Sequence, residues 1–174
     1  YSFSFAIASI VILFTTSLVP IFTTDFSIAW RDKNYKMMRK LFSEFLPILV
    51  FITSFISFYI AANGENIIFL IGGNAFEGAN ISLIFMAIYP IHQVYGQLCN
   101  SVLYASGKTK LIRNVSIPFQ IFGLILAIYF ISSKDFGGLD LGSLGLVYKT
   151  IIIQIIVVNI LLWKCTEILS LSFF

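Results

Sequence analysis

From Phe3 to Thr23 the chain runs without a charged residue, and similar apolar runs recur along it. A helix of about 20 residues crosses a hydrocarbon core of about 30 Å, so each such run is a predicted membrane span. The others extend from Phe45 to Ala62, about Ile81 to Tyr104, about Val115 to Ile131 and about Leu144 to Trp163. Together they leave room for little besides connections. Composition agrees: 59% of the 174 residues are hydrophobic and 11% charged, with nineteen Phe and eight Tyr. Soluble domains run nearer half apolar and a quarter charged, so a water-soluble fold is excluded. The predicted fold is all-α: a polytopic transmembrane helical bundle of about five spans, with residues 1–174 forming one membrane domain. Ile67–Gly73 is too short to span and is expected at the interface or as a packed extension.

The Lys and Arg residues orient the spans. Residues 24–44 form a basic loop carrying Arg31, Lys33, Lys36, Arg39 and Lys40. The connection from Asn63 to Asn80 has none, the next has Lys108, Lys110 and Arg113, and the last has Lys134 against Asp135 and Asp140. The first and third loops are thus expected in the cytoplasm and the N-terminus outside. In the basic loop Tyr35, Met38, Leu41, Phe42 and Phe45 recur at helical spacing. This fits a short interfacial helix whose cations meet anionic headgroups, or a gate or partner-binding segment.

The third run is the least uniform. At 100° per residue Tyr89, His92, Gln93, Gly96, Gln97, Asn100 and Tyr104 fall within an arc of about 140°. Ile84, Ile88, Ile91, Val94, Leu98 and Val102 take the opposite side. Lipid offers amides no partner, so the stripe faces other helices or water. Interhelical hydrogen bonding accounts for one such residue; a stripe of this length favours a hydrated cavity. Pro90 lies within it and permits a kink. Lys149, the one cation within a predicted span, costs at least about 2.5 kcal/mol at a bilayer centre. Two readings stand: it snorkels to the outer interface, or it faces a cavity that receives anionic phosphate. Gln154 and Asn159 lie on the same helix without aligning with Lys149, and Gln120 adds polarity to the fourth span.

Other motifs fail. Gly107-Lys108-Thr109 lacks the earlier glycine of a phosphate-binding loop, because Val102 occupies that position. Cys99 and Cys165 are too few and too separated for a disulfide framework or a metal site. His92 is the single histidine and no acidic residue lies in a predicted span, so no catalytic pair is evident. No catalytic residue, metal or cofactor is expected, and no nucleic-acid partner.

The order of several segments resembles a known family. A span ending Ser17-Leu18-Val19-Pro20-Ile21-Phe22 leads into a basic loop; Ile68 to Ala79 reads IFLIGGNAFEGA; a helix closes with Val102-Leu103-Tyr104-Ala105-Ser106-Gly107-Lys108-Thr109-Lys110; and Gly142-Ser143-Leu144-Gly145-Leu146-Val147-Tyr148-Lys149 opens the last span. This looks like the polysaccharide biosynthesis transporters, in particular the O-antigen flippases of the multidrug/oligosaccharidyl-lipid/polysaccharide exporter superfamily. The resemblance implies part of a larger two-bundle transporter fold, in the C-terminal half, and Tyr1 in place of Met agrees with a piece of a longer chain. It implies a transporter rather than an enzyme, in the bacterial cytoplasmic (inner) membrane. Its substrate would be an undecaprenyl-diphosphate-linked oligosaccharide, its surroundings membrane lipids, and its further partners other polysaccharide assembly proteins. Gln93, Gln97 and Asn100 would hydrogen-bond sugar; His92 itself reads as a hydrogen-bonding cavity residue, with proton coupling as the alternative. Tyr89 and Tyr104 would stack on the sugar, and Lys149 would attract the diphosphate. A multidrug or organic-cation exporter shares the fold but prefers an acidic cavity. A membrane-embedded glycan polymerase or acyltransferase would carry paired catalytic residues or a long outer loop.

Overall fold

A computed structural model describes residues 1–171, and the described residues form six α-helices and two short 3-10 segments without a strand. They are α1 (Ser2–Arg31), α2 (Tyr35–Ala62), α3 (Gly64–Gly72), α4 (Asn80–Ala105), α5 (Thr109–Ile131) and α6 (Gly142–Leu169), with 3-10 turns at Gly73–Ala79 and Lys134–Phe136.

Helix α1 runs past the expected boundary at Thr23 because nothing breaks it and its buried side continues through Phe22, Phe26 and Ala29. Helix α2 starts at Tyr35, where the Asn34 side chain caps it by accepting from the Met37 N–H at 3.0 Å. It buries Met38, Phe42 and Leu49 on the same core. The expected loop 24–44 is therefore two helix ends joined at Asp32-Lys33-Asn34, and the expected interfacial helix is the opening of α2. Aromatic rings pin this hairpin, with Trp30 against Tyr35 at 5.5 Å and Phe22 against Phe45 at 5.0 Å.

Helix α4 is the hub: it packs on α1, α2 and α6, while α5 packs chiefly on α6. It buries Leu83, Met86, Val94, Leu98, Val102 and Leu103, whereas α5 buries Gly123 alone. Among the described residues four helices are long and apolar enough to cross a membrane: α1, α2, α5 and α6. Helix α4, the third of the five expected spans, falls outside that set although it has 26 residues. Its polar stripe lowers its hydropathy, and its neighbours supply the apolar surroundings that a lipid-facing helix must carry itself. All four prolines lie inside helices, at Pro20, Pro47, Pro90 and Pro118. Neighbouring helices and hydroxyl groups satisfy freed backbone groups in such settings.

One apolar cluster joins the C-terminal parts of α1, α4 and α6 to the start of α2, with Leu111 and Ile112 of α5 packed against it. A second cluster gathers Ile7, Val11, Ile60, Ile68, Leu83 and Ala87 at the other end. Every Lys and Arg except Lys134 and Lys149 belongs to the first end. The first cluster also contains Cys99 and Cys165, free thiols that are both fully buried in it. Their distance in sequence disappears once α4 packs on α6.

Candidate functional site

The polar centre of α4 faces a cavity of about 290 Å³ shared with α5 and α6. Helix α4 contributes Tyr89, Gln93, Gly96 and Asn100; α5 contributes Ser116 and Gln120; α6 contributes Lys149, Thr150 and Gln154 above an apolar floor of Val157, Val158 and Leu161. Two glycines set the helix spacing. A Cβ on Gly96 would lie 2.9 Å from Val158 Cγ2, and one on Gly123 would lie 3.0 Å from Lys149 Cε. The lysine stem therefore rests on bare backbone of α5 while its residue borders the cavity.

The hydrogen-bonding groups are partly committed. Gln154 Nε2 donates to Gln93 Oε1, tying α6 to α4. Thr150 Oγ1 donates to the Leu146 carbonyl at 2.8 Å and lies 3.1 Å from the Tyr1 hydroxyl. Asn100 Oδ1 is buried without a partner, leaving an acceptor at the cavity. Lys149 forms no ion pair among the described residues, and no carboxylate is found among the described residues lining the cavity. A single cation among amides and hydroxyls suits an anionic, hydroxyl-rich guest better than a cationic one. Toward the acidic end, opposite the basic one and carrying Glu65, Asp135 and Asp140, the rings of Tyr1, Phe5 and Tyr89 form a chain with successive centroids 5.9 Å apart.

Of the residues singled out in the sequence, Tyr89, Gln93, Asn100 and Lys149 meet at this cavity. The other three diverge. Gln97 turns to α1, donating to Thr16 Oγ1 at 2.7 Å, with its own Oε1 buried and unpartnered. His92 lies on the opposite margin, Nε2 3.5 Å from Asn159 Nδ2, beside a pocket of about 80 Å³. Tyr104 is 52% exposed in the last turn of α4. The helical wheel explains the split. Taking Tyr89 as zero, Gly96, Asn100 and Gln93 fall within about 40°, whereas His92 and Gln97 lie about 60° and 80° away on opposite sides. Gln154, Thr150, Ser116 and Gln120 complete the cavity; Gln154 borders it with Lys149 despite their misalignment, because the cavity spans a wide arc of α6.

No protein-family profile, curated protein or solved structure matches the chain.

Proposed function

We propose that the chain is part of a membrane transporter that moves a lipid-linked oligosaccharide across the bacterial cytoplasmic membrane, with the diphosphate held at Lys149 and sugar at the amides of α4 and α6. The observation that carries this reading is the cation bordering an amide-lined cavity between α4 and two helices apolar enough to cross a membrane. Membrane interiors penalise such groups heavily, and they mark substrate pathways where they occur. In this reading α4 is a fifth span kept from lipid by α1, α2 and α6. The basic end lies in the cytoplasm by the positive-inside rule, and the lipid tail of the substrate stays in the bilayer beside the cavity.

The direct test is a strain deleted for the intact gene, in which the two faces of the membrane are assayed for undecaprenyl-linked oligosaccharide. Single units trapped on the inner face and released by complementation support a flippase; units that reach the outer face unpolymerised point to a polymerase. Lys149→Ala should lower transport at unchanged membrane abundance, and Lys149→Arg should restore much of it by keeping the charge. Full transport by Lys149→Ala would assign the lysine to snorkelling.

A further inference from the structure

A second concave site lies at the acidic end, away from the cavity of α4 and α6. It is a cleft of about 610 Å³ between α3, the 3-10 turn Gly73–Ala79 and the start of α4. Its polar lining comprises Glu65, Asn66, Asn74 and Asn80, and its apolar walls are Ile68, Phe69 and Ile81. Asn80 Nδ2 donates to Glu65 Oε1 at 3.0 Å, which fixes the first turn of α3 against α4. That bond leaves Asn80 Oδ1 buried without a partner. Gly73 and Gly78 also border the cleft, and a Cβ on either would meet nothing within 4 Å. Gly73 adopts φ +63°, a conformation that disfavours other residues. Phe69 is 67% exposed beside this polar lining.

We propose that this cleft binds a neutral glycosyl group. The chemistry decides among guests. Its volume lies in the range of small-molecule pockets and far exceeds what an ion requires. None of the described residues lining it is basic, and Glu65 disfavours anions, so a phosphate is a poor guest. Asparagine amides and a carboxylate present donors and acceptors side by side, the pattern that adjacent sugar hydroxyls match. The exposed Phe69 ring offers a flat surface for the C–H face of a pyranose, and Ile68 and Ile81 add apolar lining to the cleft. The proposal goes beyond the transport reading and does not depend on it.

The test uses the full chain in nanodiscs of phosphatidylcholine and phosphatidylglycerol, free of sugar detergents, with methyl α-glucoside and N-acetylglucosamine as probes. Saturation-transfer NMR should report contact with at least one probe. Glu65→Gln should weaken binding about tenfold, as expected for a hydrogen bond to a charged group. Phe69→Ala, which alters an exposed side chain and leaves the Glu65–Asn80 bond in place, should weaken it as well. Lys149→Ala should leave it unchanged. Nanodiscs containing glucosyl diacylglycerol separate the sources: competition assigns the cleft to a lipid headgroup sugar, and its absence assigns it to free saccharide. No transfer from either probe to the wild-type chain overturns the proposal. So does transfer that survives both cleft substitutions or vanishes in Lys149→Ala, and neither result bears on whether Lys149 serves transport.

Discussion

The two sides of α4 are built on opposite rules. Toward α1 and α2 it buries Val94, Leu98 and Val102 in a continuous apolar cluster with Phe26, Met38, Phe42 and Leu49. Toward α6 it presents Tyr89, Gln93 and Asn100 to a polar cavity, and the helices touch closely through Gly96 and Val158. The first side holds the bundle together by close packing. The second keeps amides, hydroxyls and a cation where a guest can reach them. One helix performs both tasks because its 3.6-residue period separates the two sets of side chains.

The largest contrast is available at adjacent positions. Val94 is 1% exposed in the apolar cluster, while its neighbour Gln93 borders the cavity. Val94→Glu buries a carboxylate without a partner, which costs several kcal/mol and should abolish the monodisperse folded protein. Gln93→Glu keeps an acceptor for the Gln154 amide and gains Lys149 as a neighbour across the cavity, so it should accumulate near the wild-type level. Fluorescence-detected size exclusion of tagged variants measures both. Equal behaviour of the pair would remove the distinction between the two sides.

A smaller effect is expected where the sides meet α6. In Gly96→Val the new side chain must displace Val158, whose Cγ2 would lie 2.9 Å from the added Cβ. Overpacking of this kind costs about 1–3 kcal/mol. The variant should melt several degrees lower, and its cavity should widen as α4 and α6 part. An unchanged melting temperature would mean that α6 slides without cost, and the cavity would then be an adaptable seam.

The apolar runs made the all-α class and most helix positions legible, because bilayer length and helical rise leave one reading for such runs. The joining of the basic segment into α1 and α2 was less visible. Charges at Asp25, Arg31, Lys36 and Arg39 suggested a loop, yet Phe22, Phe26, Ala29, Met38 and Phe42 keep helical spacing through it. The centre of the cavity was readable from the stripe on α4, since Tyr89, Gln93 and Asn100 share one narrow arc. Its partners were not, because one helix wheel cannot say which face of α6 turns toward another helix. Gln154 and Thr150 acquire their meaning only when α4 and α6 are placed together. The pairing of Cys99 with Cys165 is of the same kind.

The smallest effect tests the border between the two sides. Gln97 sits at the edge of the polar arc and donates to Thr16 across the α1–α4 contact at 2.7 Å, while its Oε1 is buried without a partner. Gln97→Leu removes one satisfied donor together with one unsatisfied acceptor, so its net effect on stability should be close to zero. The bond itself is still expected to register in a double-mutant cycle with Thr16→Val, because only the double substitution removes both partners. Interhelical hydrogen bonds measured this way in membranes average about 0.6 kcal/mol and reach about 1.7. A coupling in that range would place Gln97 on the structural side of α4, as an adhesive between helices. A coupling of zero, together with loss of transport in Gln97→Leu, would move Gln97 to the cavity side and widen the functional arc by one residue.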